Sequence, residues 1–287
     1  MQKKIGFIGI GVMGNSMVRN LMANGYPVFI YTRTKEKAEG LVAEGASWKA
    51  SPKEIAEEAD IIITMVGYPH DVETVYFGDN GIFAGAGKGK VLIDMTTSTP
   101  TLAKQIFEEA KNHEMDALDA PVSGGDIGAK NGTLSIMVGG TEKVFNEIHP
   151  VFSVLGNNIV FQGEAGAGQH TKMCNQIAIA SNMIGVTEAL VYARNAGLDP
   201  EKMLASISTG AAGSWSMSNL LPRVLKEDYS PGFFIKHFIK DMGIALEEAK
   251  KMELELPGLA LAEKLYQSLA GKGEEDSGTQ ALIKYWG

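Results

Sequence analysis

KIGFIGIGVMGNSMVRNLMAN (residues 4–24) decides how the rest of the chain is read. It opens with a short Ile- and Phe-rich run that suits a buried strand, and it closes with apolar residues at helical spacing. Between the two lies Gly9-Ile10-Gly11-Val12-Met13-Gly14. A GxGxxG pattern alone is a weak signal and can be a plain glycine turn. Between a strand and a helix it has a physical purpose: Gly9 permits the tight turn, Gly11 leaves the backbone open to a pyrophosphate, and Gly14 lets the helix close on the strand. The helix N-terminus adds unpaired N–H groups and a partial positive charge facing the phosphates.

The end of the next strand bears on which dinucleotide fits. Sites for NAD usually place an acid there to hold the ribose hydroxyls. Here the window reads Tyr31-Thr32-Arg33-Thr34-Lys35, with no acid before Glu36. Arg33 offers a planar fork to a 2′-phosphate, helped by the hydroxyls of Thr32 and Thr34. NADP(H) is therefore expected over NAD(H), which stays possible; the alternative is that Arg33 and Lys35 simply begin a solvated helix.

Outward from this motif the first half alternates strand-like runs, at 4–10, 27–31, 61–66, 90–95, 115–120, 134–140 and 158–163, with segments of helical period. Ser51-Pro52-Lys53-Glu54 reads as a capping box with proline at the first helical position. Such alternation predicts an α/β fold, a doubly wound parallel sheet of Rossmann type. Past 163 every segment has a 3.6 period: 167–196, 200–209, 215–227, 233–252, 257–271 and 276–286. The glycine-rich GEAGAG at 163–168 marks the change. The expected domains are 1–163, binding NAD(P), and 164–287, all-helical, for substrate and dimerisation.

The 287 residues are 45% hydrophobic, enough to bury a sizeable core. With 26 basic against 34 acidic residues, a formal charge of −8 and no basic run, nucleic acid is not an expected partner. The apolar patch near the start is short and broken by Gly6, Gly9 and Gly11, so it does not read as a secretory leader, and no stretch is long enough to span a membrane. The single Cys174 is read as a buried thiol in a reducing, cytoplasmic setting. It stands four residues from His170 with no further metal-ligating partner at useful spacing, so no metal is expected.

Three further stretches carry chemistry. Asp94-Met95-Thr96-Thr97-Ser98-Thr99-Pro100 follows a strand, placing hydroxyls at the carboxyl edge of the sheet or, equally, at a helix cap. Asp119-Ala120-Pro121-Val122-Ser123-Gly124-Gly125 can form a tight loop whose N–H groups and Ser123 hydroxyl converge on an anion such as a substrate carboxylate. In GAGQHTKMCNQ (166–176), Lys172 enters a helix that reads apolar on nearly every side, and Asn175 shares its face one turn on. Burying an ammonium without a partner is costly, so Lys172 needs a reason to be there. Further on, FFIKHFIKDMGIALEEA (233–249) offers Lys240 as a second inward-facing amine, or a solvated one.

In this order and at about this spacing, the glycine loop, DMTTSTP, DAPVSGG, GAGQHTKMCNQ and KHFIKDM resemble the signature motifs of the β-hydroxyacid dehydrogenase family. That family includes 3-hydroxyisobutyrate dehydrogenase, tartronate semialdehyde reductase and glyoxylate/succinic semialdehyde reductases. The resemblance covers essentially the whole chain. It implies a Rossmann-type domain joined to a helical domain by a long helix, with homodimers or homotetramers. It also implies Lys172 as the catalytic lysine, Asn175 as a substrate-binding partner, Ser123, Gly124 and Gly125 around the substrate carboxylate, and Val66, Thr97 and Lys240 at cofactor-contacting positions, Lys240 also near the substrate. The chain is especially similar to a group of uncharacterised bacterial oxidoreductases that carry GAAGSWSMSN (210–219), a resemblance that implies Trp215 shapes the substrate pocket.

The chemistry expected is hydride transfer between a nicotinamide and a short 3- or 4-hydroxy acid or semialdehyde, a small carboxylate-bearing substrate. Lys172 would stabilise the growing oxyanion and move the proton, its pKa lowered by burial and by Lys240. Oxidative decarboxylation of the 6-phosphogluconate type is the alternative, for which the helical half has little room. A scaffold or sensor that only binds NADP(H) is the other, and Lys172 with Asn175 argues against it.

Overall fold

A computed structural model of the protein describes residues 2–287. Two compact units result, one ending at Lys172 and one running from Met173 to Gly287. The first is built from β1 (Ile5–Ile8), α1 (Val12–Ala23), β2 (Val28–Tyr31), α2 (Glu39–Ala43), β3 (Ser47–Trp48), α3 (Pro52–Glu58), β4 (Ile61–Thr64) and α4 (Pro69–Phe77). It continues through β5 (Val91–Asp94), α5 (Pro100–Asn112), β6 (Asp116–Asp119), β7 (Val122–Ser123), α6 (Gly125–Asn131), β8 (Leu134–Gly139), α7 (Glu142–Leu155) and β9 (Gly156–Gly163). The helix α8 (Ala167–Asn195) begins in this unit and continues into the second.

The strands form one sheet in the order β3-β2-β1-β4-β5-β6-β8-β7, with β9 also paired to β8. Every residue of β1, β4 and β5 is buried, as expected of central strands covered on both faces. Ile5, Phe7, Ile61 and Ile63 face a core shared with α1 and α7, while Ile8, Ile62 and Leu92 face one shared with α3, α4 and α5. The capping box at 51–54 forms, Ser51 Oγ accepting from Glu54 N at 3.1 Å, although the Glu54 carboxylate returns to Ala50 N at 3.0 Å.

The sheet is parallel as expected except at one end, where β8 runs antiparallel to both β6 and β7. A parallel return needs a crossover of a dozen or more residues, roughly, and α6 has 7, so the chain can only fold straight back. The division between the two compact units falls after Lys172. The first turns of α8 bond to the sheet, as described below.

In the second unit, α8 is followed by α9 (Pro200–Ile207), α10 (Trp215–Asn219), α11 (Leu221–Leu225), α12 (Ile235–Lys251), α13 (Pro257–Ala270) and a final 3-10 segment, Thr279–Tyr285. The helix expected over 215–227 breaks at Leu220, where Pro222 opens α11. Met183 and Leu190 of α8, Phe238 and Met242 of α12, and Leu259 and Tyr266 of α13 share one core. The Tyr266 hydroxyl donates to Thr279 O at 2.9 Å, fastening the final segment to α13. No helix among the described residues is long and apolar enough to cross a membrane.

Candidate active site

The sheet order reverses between β1 and β4, which makes the crevice at their carboxyl ends the natural ligand site of such a sheet. Gly9 sits there at φ +105°, and a Cβ on it would lie 2.2 Å from Met65 O, so only glycine fits. A Cβ on Gly14 would lie 2.0 Å from Gly9 O, so the helix closes on the turn only with glycine. Gly11 is different: a Cβ there meets nothing within 4 Å. The protein itself does not need glycine at 11, which is what a backbone kept open for a ligand looks like. The α1 N-terminus has no side-chain cap, and Val12 beside it is 57% exposed, so its N–H groups suit a phosphate. Ile10 is buried and braces the loop, with Met13 packed against the same core.

At the end of β2, Thr32 is half-buried and Thr34 exposed, while the Arg33 side chain is 79% exposed. Sequence reading missed its partner: Arg33 Nη1 donates to Asp71 Oδ1 at 2.9 Å, and the Asp71 side chain is only 9% exposed. Asp71 lies in the first turn of α4, brought to Arg33 by the sheet order and by nothing local in the sequence.

The hydroxyl run after β5 divides its duties. Thr99 Oγ1 caps α5, accepting from Leu102 N at 3.1 Å, and Thr96 Oγ1 accepts from Val66 N at 3.0 Å, tying this loop to the one after β4. Thr97 stays half-buried at the carboxyl edge of the sheet. Asp94 beneath it accepts from Thr64 Oγ1 at 2.8 Å and Thr96 N at 3.1 Å, yet burial pushes its carboxyl up to about 6.

Ser123 is half-buried at the end of β7; Gly124 and Gly125 follow at φ +134° and +63°, a turn that other residues would resist. Lys172, 6% exposed, donates from Nζ to Val122 O at 2.8 Å, which sets the amine beside this turn. Asp119, on the strand leading into it, accepts from Gly166 N at 2.7 Å and Gln169 N at 2.8 Å. Burial raises the Asp119 carboxyl despite these amide bonds.

In the second unit, Asn175 Nδ2 donates to Gln176 Oε1 at 2.7 Å, and Gln176 Nε2 donates to the buried Asp241 Oδ2 at 2.6 Å. The Lys240 amine forms an ion pair with Asp241 Oδ1 at 2.8 Å. Lys240 thus carries its own counter-ion. Burial, with the Lys240 charge, pushes the neighbouring His237 imidazole down. Trp215 opens α10 with 66% exposure. Cys174 is exposed, correcting the expectation of a buried thiol: it falls on the solvent side of α8 while Lys172 and Met173 turn inward. No group of three or more His, Cys, Asp or Glu among the described residues is placed to hold a metal ion. Gln169, Gln176, Asp241 and Asp71 were not legible as site residues, because each acts through a partner distant in sequence.

A sheet that opens at its switch point onto an uncovered glycine turn is the architecture of a dinucleotide-binding domain. Residues 4–163 match the NAD-binding domain of 6-phosphogluconate dehydrogenase, and residues 166–286 match the NAD-binding domain of NADP-dependent 3-hydroxyisobutyrate dehydrogenase. An uncharacterised oxidoreductase of Bacillus subtilis (strain 168), YkwC, is 63% identical, with 100% of this chain and 99% of that protein aligned. The 2-hydroxy-3-oxopropionate reductase of Escherichia coli (strain K12) is 39% identical over 98% of this chain and 96% of its own. Mycobacterium tuberculosis 3-hydroxyisobutyrate dehydrogenase, solved with L-serine, superposes with a TM-score of 0.91 at 31% identity, covering 100% of this chain and 99% of the other. The chain belongs to the β-hydroxyacid dehydrogenase family.

Proposed function

We propose that the protein interconverts short 3- or 4-hydroxy acids and their semialdehydes, preferring NADP(H), with Lys172 as general acid and base. The observation that carries this reading is the Lys172 amine, 6% exposed and held by the Val122 carbonyl at 2.8 Å, one residue ahead of the Ser123-Gly124-Gly125 turn. When bound, the nicotinamide supplies or takes up the hydride. The chain does the rest. Ser123 and the N–H groups of the glycine turn hold the substrate carboxylate. Lys172 donates a proton to the carbonyl oxygen as negative charge grows there, and recovers it in the oxidative direction. Asn175, one turn along α8, orients the substrate hydroxyl.

The phosphates rest on Gly9 to Gly14, with Val66 and Thr97 lining the cofactor on the sheet side. Arg33, with Thr32 and Thr34, takes the 2′-phosphate; its 79% exposure leaves the guanidinium presented to solvent beyond its bond to Asp71. The names of the two characterised relatives support a small hydroxy acid or semialdehyde, and the NADP-dependent family model supports NADP. A homodimer or homotetramer is part of the same proposal. The exposed Cys174 suits a cytoplasmic setting that keeps it reduced.

The test is a panel of semialdehydes and hydroxy acids, including 2-hydroxy-3-oxopropionate and 3-hydroxyisobutyrate, assayed with NADPH and with NADH. Turnover of at least one member with NADPH favoured is expected. Activity on none of the panel, or equal use of the two cofactors, counts against the reading.

A further inference from the structure

The Asp119 carboxylate is buried at the end of β6, and the chemistry above leaves it unused. Its two oxygens take separate amides at the start of the lysine helix: Oδ1 accepts from Gly166 N at 2.7 Å and Oδ2 from Gln169 N at 2.8 Å. Gln169 and Lys172 are three apart, so they are neighbours on one face of α8, and Gly166 immediately precedes the helix. The same face is gripped twice more. The buried Gln169 side chain donates to Thr96 O at 2.7 Å and accepts from Ser98 N at 3.0 Å, and Lys172 Nζ donates to Val122 O at 2.8 Å.

Two glycines clear the space this carboxylate occupies. A Cβ on Gly139 would come 2.5 Å from Asp119 Oδ1, and one on Gly168 would come 2.8 Å from Oδ2. The carboxylate is therefore seated by the backbone on both sides. Asp119 and Val122 stand three residues apart on one segment, the first fixing where α8 starts and the second receiving the lysine it delivers.

We infer that Asp119 is the positioning residue for Lys172, setting the rise and rotation of the first α8 turn so that the amine reaches the Val122 carbonyl. This rests on the proposed role of Lys172. Through Gln169 the same turn is tied to the Thr96–Ser98 loop, so the lysine and the cofactor-side loop share one anchor.

A double-mutant cycle tests it, using Asp119→Asn, Lys172→Ala and the pair together. NADPH binding is followed by fluorescence, and turnover is followed on whichever semialdehyde of the panel is reduced fastest. Asp119→Asn is expected to lower kcat by roughly 10- to 100-fold, the cost of a small misplacement. In the Lys172→Ala background the same change should alter kcat by less than ~2-fold, with the NADPH Kd within ~3-fold throughout, because the two losses are one loss. Multiplying losses in the double variant, or an unchanged kcat in Asp119→Asn, overturns the inference. A Lys172→Ala enzyme with ordinary turnover instead overturns the functional reading, and the inference falls with it. If Asp119→Asn does not fold, amide exchange on the unaltered protein decides. The Gly166 and Gln169 N–H groups should exchange as slowly as the sheet, and rates typical of a fraying helix end contradict the inference.

Discussion

Lys172 and Arg33 are both long cations, and the fold treats them oppositely: one is 6% exposed and held by a carbonyl, the other leaves its side chain 79% in solvent beside a buried carboxylate. A residue meant to exchange a proton gains from exclusion of water, whereas one meant to recognise a charged group must remain reachable. Arg33→Asp should therefore reverse cofactor preference: losing a charge-assisted phosphate contact worth about 1.5–3 kcal/mol shifts the NADPH/NADH ratio of kcat/KM by roughly 10- to 100-fold. On the proposed reading, Asp71 would oppose a 2′-phosphate held by Arg33. Because the guanidinium end of the pair is 79% exposed, solvent screens it to about 1 kcal/mol or less, so Asp71→Asn should raise NADPH preference by no more than ~5-fold. A third residue sets a pH dependence. The Asp94 carboxyl is raised from 3.8 to about 6 by burial, so the folded chain keeps a proton that the unfolded chain releases. Stability then falls as pH rises through that interval and stays reduced above it. Asp119, shifted the same way, adds to the slope. Thermal midpoints measured from about pH 4 to pH 7 should decline less steeply in Asp94→Asn than in the unaltered protein.

At the scale of elements, the β1-turn-α1 unit separates glycines that the fold needs, Gly9 and Gly14, from Gly11, which the fold does not need and the proposed cofactor site would. Gly14→Ala puts a Cβ 2.0 Å from Gly9 O and should cost at least ~1–3 kcal/mol of stability. Gly11→Ala meets nothing within 4 Å and should cost no more than about 1 kcal/mol, the difference between Gly and Ala at a helix cap. It should nevertheless weaken NADPH binding by ~10-fold or more, because the methyl stands where the pyrophosphate approaches. Denaturant titration and cofactor binding on the two variants separate these effects. The unit was legible in sequence because its three glycines carry the strand-turn-helix pattern on their own. Elements whose reason lies elsewhere were not: β3 (Ser47–Trp48) and β7 (Val122–Ser123) have 2 residues each, too few for any periodicity, and exist only because β2 and β8 offer them an edge. The reversed direction of β8 was hidden for a related reason, since a short helix and a crossover helix look alike until their lengths are weighed against the sheet.

At the scale of the molecule, alternating and purely helical halves could be read from hydrophobic period, and Lys172 could be singled out as a charge entering an apolar helix. What could not be read is how that charge is held, because Asp119 and Val122 are about 50 residues from it and share no local pattern with it. The division of the chain follows the same logic: α8 starts as part of the first unit because Gln169 and Lys172 in its first turns, with Gly166 just before it, bond to the sheet and its loops. A cofactor bound to the folded state stabilises it by mass action, about 2.7 kcal/mol at 100 times Kd. NADPH should consequently raise the thermal midpoint more than the same concentration of NADH.

The most direct measurement is single-turnover reduction of a panel semialdehyde by the Lys172→Met variant loaded with NADPH, compared with the unaltered protein. The account predicts that cofactor binding survives while the chemical step slows by at least ~100-fold, the low end for a lost general acid. A variant that reduces the substrate at the original rate with NADPH bound would show that this amine moves no proton.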